Sequence, residues 1–161
     1  MEPGERCPTL FFRGIPVSLR LSSAQKRALK DFANDLAQQV TEGRLFACIV
    51  TNDRELGRLN HDFLGHDYPT DVLSFPSGDA SSLGDLAISS ERASAQAAVF
   101  GHSLLDEIRV LMLHGVLHLS GFDHESDGGR MARAEKKWRA HFDLPQTLIH
   151  RHGGALSGVR R

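Results

Sequence analysis

The sequence predicts an α+β fold: a small mixed four-stranded sheet packed against about five helices, with a zincin-like three-histidine metal site at the end of one of them. Two observations carry the fold. The hydrophobic patterns run strand, helix, strand, helix, two strands, then helices, with no internal repeat and no linker long enough to divide domains. The two consecutive strands, Val72 to Phe75 and Leu86 to Ile88, are joined by a loose, small-residue connection and pair as a hairpin, which makes the sheet mixed. Residues 1–145 are expected to form one domain and 146–161 a basic, flexible tail.

Leu10 to Leu21 alternates as a strand, which Pro16 confines to a sheet edge or to the strand's own beginning. Ser22 and Gln25 then have the spacing of a capping box, and Leu29, Phe32, Ala33, Leu36, Ala37 and Val40 follow as the buried stripe of a helix that Gly43 stops. Leu45 to Val50 is wholly apolar, as expected of a central strand covered on both faces. Asn52 and Glu55 open a second helix, with Leu56, Leu59 and Phe63 towards the core and Gly65 at its end. Beyond the hairpin, Ser89 or Ser90 caps a helix running towards Phe100, and Ser103 caps the next. A last helix is expected to start at Asp127, despite Gly128 and Gly129, and to carry the stripe Met131, Ala134, Trp138 and Phe142 before Pro145 ends it.

With 161 residues, 40% hydrophobic and 24% charged, the chain reads as globular and long enough to bury a single core. The first twenty residues include Glu2, Glu5, Arg6 and Arg13 without a long apolar segment, so neither a signal peptide nor a membrane span is expected. Cys7 and Cys48 form no C-x-x-C pair, and two isolated cysteines suit a reducing compartment, which points to the cytoplasm. Charge is unevenly spread: residues 130 to 161 carry eight Arg or Lys against Glu135 and Asp143, a surplus of +6 that leaves −7 on the first 129 residues. That asymmetry fits a nucleic-acid-facing end of the chain as well as it fits a solvated helix with a frayed terminus.

His114 and His118 stand four residues apart in the apolar run Ile108 to Leu119. On a helix this spacing sets both rings on one face, roughly 6 Å apart along the axis. Gly121 tolerates the left-handed backbone that ends a helix, and the reversal it permits brings His124 back towards the pair. Three neutral imidazoles without cysteine suit one zinc ion, with a fourth position left for water, which implies catalysis rather than scaffolding. The spacing is that of the long zincin motif, but the position of its general-base glutamate is taken by Gly115, which accepts no proton. Ordinary zinc peptidase chemistry is therefore disfavoured.

The stretch from His114 to His124, together with Pro69-Thr70-Asp71-Val72-Leu73-Ser74-Phe75-Pro76 and Leu83-Gly84-Asp85-Leu86, resembles the YbeY family of endoribonucleases over about residues 10–143. The resemblance implies a zinc-dependent enzyme acting on single-stranded RNA, matures the 3′ end of 16S rRNA, works with the small ribosomal subunit and serves ribosome quality control. It also matches His114, His118 and His124 to the family's metal ligands. Asp85, on the turn between two strands, is a candidate for orienting water or accepting a proton, with a plain turn residue as the alternative. Glu107, two helical turns before His114, is a candidate for taking the outward ring N–H of a ligand histidine, with helix-dipole stabilisation as the alternative. Asp123 is expected to hold the bend or the ring of His124, and His61, His102, His141, His150 and His152 are expected at the surface.

This chain departs from the family at Leu64, where an arginine is common, and at His66, where lysine is frequent. An arginine there would clamp a phosphate bidentately, which leucine cannot do, so either another cation such as Arg54 or Arg58 reaches the site or RNA cleavage is weaker or differently organised. Two alternatives stand beside the nuclease: a non-catalytic RNA-binding assembly factor stiffened by its metal, and a zinc hydrolase with another substrate.

Overall fold

The computed structural model describes residues 6–67, 70–122 and 128–146. Four strands form one sheet in the order β1-β2-β4-β3: β1 (Thr9–Phe12), β2 (Leu45–Thr51), β3 (Val72–Pro76) and β4 (Ser82–Ser89). The first three neighbours along that order are parallel, whereas β3 runs antiparallel to β4 with Leu73 beside Ala87. The sheet is mixed for the reason the sequence offers: β3 and β4 are consecutive and close as a hairpin. Five α-helices accompany it, α1 (Ser23–Gln39), α2 (Asp53–Leu64), α3 (Ser90–Phe100), α4 (Leu104–Leu119) and α5 (Arg130–His141). The α+β class and the four-stranded mixed sheet are as expected.

Local chemistry sets most of the boundaries. The capping box closes between Ser22 and Gln25, with Gln25 N–H donating to Ser22 Oγ at 3.0 Å and Ser22 N–H donating to Gln25 Oε1 at 2.8 Å. Asn52, Ser89 and Ser103 cap α2, α3 and α4 in the same side-chain-to-backbone manner. Gly65, at φ 72°, ends α2 in the left-handed conformation.

Three expectations about elements need correction. The first strand covers only Thr9–Phe12, because Gly14 turns the chain at φ 71° and Pro16 leads into a 3-10 turn, Val17–Leu19. The last helix begins at Arg130: Gly128 and Gly129 hold φ 67° and 87°, outside the helical range, and Asp127 lies outside the described residues. Phe63 faces outward and is 66% exposed, since α2 buries only the stripe holding Leu56 and Asn60.

Strand alternation then sorts the side chains into two unequal layers. On one face Phe46, Cys48, Val50, Val72, Leu86 and Ile88 join Leu29, Phe32 and Leu36 of α1, Ala93 of α3, Met131 of α5 and the body of α4 in the main core. Helix α4 is buried nearly all round, from Ile108 to Leu117, so it is the central helix of this layer. Each of its fully buried aliphatic side chains contributes roughly 1.5–3 kcal/mol of burial. On the other face α2 stands alone, packing Leu56 against Leu73 and Ala87. One helix cannot cover that face. Ala47 and Ile49 therefore stay half-buried in a groove of about 480 Å³, and β2 is fully covered on one side only, against expectation.

Candidate metal centre

The geometry starts from the two imidazoles of α4. His114 is 2% exposed, and its ring lies 6.4 Å from that of His118, centroid to centroid, with the planes only 16° apart. The four-residue spacing puts both rings on one face of the helix, as the sequence predicts.

What sequence reasoning missed is how the rings are oriented. The carboxylate of Glu135, on α5, meets His114 Nδ1 through Oε1, and Arg139 one turn later donates from Nη2 to Glu135 Oε2 at 3.1 Å. His118 Nδ1 is 3.0 Å from the carbonyl oxygen of Phe122, which can only accept, so this nitrogen carries the proton and donates. Both Nδ1 atoms are engaged on the outer side. The ring edge each would turn to a metal is then the same one, Nε2, which is the orientation a carboxylate- or carbonyl-backed ligand histidine adopts. The residues present therefore fit a zinc-type ion in their donor chemistry. The third expected ligand, His124, and its neighbour Asp123 lie outside the described residues.

The reversal that would return His124 begins where expected. Ser120 closes α4, and Gly121 takes φ 107°, a left-handed value that suits glycine. The peptide N–H of Phe122 then folds back onto Leu117 O at 3.2 Å, which delivers the Phe122 carbonyl to His118.

Asp71, the residue before β3, is a second group the sequence reading passed over as part of a loop. It is fully buried, and Gln96 of α3 donates to its Oδ2 at 2.9 Å. Burial pushes its carboxyl up from 3.8 to about 6, while the Gln96 hydrogen bond and the charge of His114 pull the other way. The opposing pull places Asp71 within electrostatic reach of the histidine helix.

Two candidates stand elsewhere than expected. Asp85 is exposed on the opposite sheet face: its strand neighbour Leu86 is the residue facing Gly115 on α4, so alternation turns Asp85 into the groove with Phe11, Ala47, Ile49, Phe63 and Phe75. A water-orienting role beside the histidines is not available from there. Glu107 is buried, which removes the exposed helix-dipole alternative, and its Oε1 meets His102 Nε2 at 2.6 Å; the carboxylate of Glu135 meets His114 Nδ1. His102, expected at the surface, is accordingly an interior residue with only 8% of its side chain exposed. His61 and His141 are exposed as anticipated.

A family model described as Endoribonuclease YbeY matches residues 17–143 of this chain. The chain belongs to the YbeY family. Among curated relatives, the "Endoribonuclease YbeY" of Solibacter usitatus is 55% identical over 143 residues, covering 89% of this chain and 93% of that protein. The protein of the same name from Nautilia profundicola is 43% identical over 121 residues, covering 74% and 86%. A Thermotoga maritima protein solved in solution shares the fold, with a TM-score of 0.57 at 24% identity over 89% of this chain and 100% of its own.

Within this YbeY-family chain, Leu64 ends α2 and packs half-buried against the Leu56 cluster. Arg58, one of the two cations considered as a substitute for arginine at 64, is held on the surface of α2 by Glu55 and by Asp62, the latter at 3.1 Å. Arg54 is exposed on the same helix. No helix among the described residues is long and apolar enough to cross a membrane. Both cysteines are thiols, and burial pushes Cys48 up to about 12.

Proposed function

We propose that this chain is a zinc-dependent endoribonuclease that cuts single-stranded RNA, acting in the cytoplasm on the 3′ end of 16S rRNA and in quality control of the small ribosomal subunit. The curated relatives support RNA cleavage through their name. The observation that carries the metal assignment is the pair of parallel imidazoles on α4, each with its Nδ1 engaged, by Glu135 in one case and by the Phe122 carbonyl in the other.

His114, His118 and His124 are the proposed ligands. Bound there, zinc would supply Lewis acidity towards a phosphoryl oxygen and acidify nearby water towards neutrality. The protein's own part is orientation. Glu135 fixes the His114 ring and is itself held by Arg139, so that two buried side chains stand behind one ligand. Phe122 does the same for His118 through the backbone. With glycine at 115, no side chain of α4 replaces the zincin base.

The test is elemental analysis of protein purified without chelator, paired with cleavage of a single-stranded RNA. We expect about one zinc per chain, loss of cleavage on chelation with recovery on zinc addition, and no cleavage by His118→Ala. Glu135→Gln should weaken zinc binding by about 10–100-fold, as for other residues behind ligand histidines. Cleavage that persists in metal-free protein would overturn the assignment. Leu64 favours one other reading, a non-catalytic assembly factor; on it, His118→Ala lowers thermal stability while cellular rRNA processing continues.

A further inference from the structure

We infer that the outward face of α5 is a docking strip for the sugar-phosphate backbone of the single-stranded RNA substrate; the inference rests on the RNA-cleaving function proposed above. Arg130, Arg133, Lys136 and Lys137 are all exposed on this helix. Its one acid, Glu135, is turned inward with Arg139 against His114. The outer face therefore carries cations and no carboxylate.

Arg139 on the inner face of the same helix pairs with Glu135, whereas among the described residues no carboxylate neutralises these four cations. Their contacts hold the side chains without cancelling charge. Arg133 Nη1 donates to the Gly128 carbonyl at 3.2 Å, the Arg130 guanidinium lies 5.3 Å from the Phe122 ring centroid, and Lys137 Nζ lies 4.9 Å from that of Trp138.

Charge and spacing point to the partner. Arg130, Arg133 and Lys137 recur at helical spacing and form a ridge on the order of 10 Å long, with Lys136 beside it. The ridge is the outer side of the helix whose inner face braces His114, so it lies on the same side of the sheet as the histidines, one helix thickness away from them. A flat row of cations interleaved with partly buried Phe122 and Trp138 suits a polyanion whose bases stack on rings and guanidinium planes.

The experiment uses the full chain and a fluorescein-labelled, cleavage-resistant 2′-O-methyl single strand, with affinity followed by anisotropy across a salt series. In the variant Arg133→Gln/Lys136→Gln/Lys137→Gln, affinity at moderate salt should fall tenfold or more. The log–log salt slope should shallow by about two, since each lost phosphate contact on a single strand removes roughly 0.7. A control with the same charge change on exposed positions of α1 and before it, Arg20→Gln/Arg27→Gln/Lys30→Gln, should keep the wild-type slope. A wild-type slope in the α5 variant, or an equal loss in the control, overturns the strip. Equal, salt-dependent binding of an acidic peptide would overturn RNA as its partner. Wild-type protein that binds no strand would overturn the proposed function as well, which separates the two failures.

Discussion

Asp71 is a side chain whose environment disfavours its charge. Its carboxyl lies at about 6 in the fold against an ordinary 3.8, because burial outweighs the Gln96 hydrogen bond and the nearby His114. A carboxyl raised in this way binds its proton more tightly folded than unfolded. Its contribution to stability is therefore complete below about pH 4, declines as pH rises towards 6, and is absent above. Two pKa units correspond to a few kcal/mol at most. Asp71→Asn should thus stabilise metal-free protein at pH 7.5 by on the order of 2 kcal/mol relative to its effect at pH 4, measured by urea unfolding at both values. An equal effect at the two pH values would show that this carboxyl is not the strained one. Its retention beside the histidines, at a cost to the empty fold, is consistent with work at the centre.

At the scale of elements, the contact between α4 and β4 explains the missing zincin glutamate. A Cβ placed on Gly115 would come within 2.6 Å of Leu86 Cδ2 and 3.2 Å of Cδ1, and Leu86 is only 1% exposed. The helix carrying the histidines lies so close to the sheet that a side chain at this position forces Leu86 to move. Gly115→Ala gains about 1 kcal/mol of helix propensity, but overpacking a dense core costs roughly 1–3 kcal/mol. A net loss in unfolding free energy is expected. Combining it with Leu86→Ala should cost less than the sum of the two single changes, since the second removes the atoms in conflict. Strict additivity would show that the close approach is not what excludes a side chain.

For the whole molecule, what matters is which face of the sheet each element reaches. Four helices cover one face and hold the histidines, while α2, with Leu64 at its end, lies on the other. The chain returns from α2 to β3, an edge strand, and Asp71 at its start already feels His114. Leu64 precedes Asp71 by seven residues, and an arginine at that position would supply the guanidinium that leucine lacks. Leu64→Arg is expected to raise kcat/KM on single-stranded RNA, at a cost of about 1 kcal/mol for the lost packing on Leu56. An unchanged or lower kcat/KM would reject position 64 as a phosphate clamp.

The sequence by itself determined what is local. Ser22 with Gln25, Asn52 with Glu55, and Ser103 each satisfy amides three residues away, so those helix starts were legible without a fold. That His114 and His118 share one face was legible for the same reason, being a property of four residues on one helix. Tertiary structure alone decided the rest. Glu135 reaches His114 across 21 residues, and its only local sign was a lone acid on a basic helix. Asp85 and Leu86 alternate, but only the placement of α4 against Leu86 settles that Asp85 faces away from the histidines. Hydrophobic period specifies that a strand has two faces; which helices cover each, and how completely, depends on packing between segments far apart in the chain.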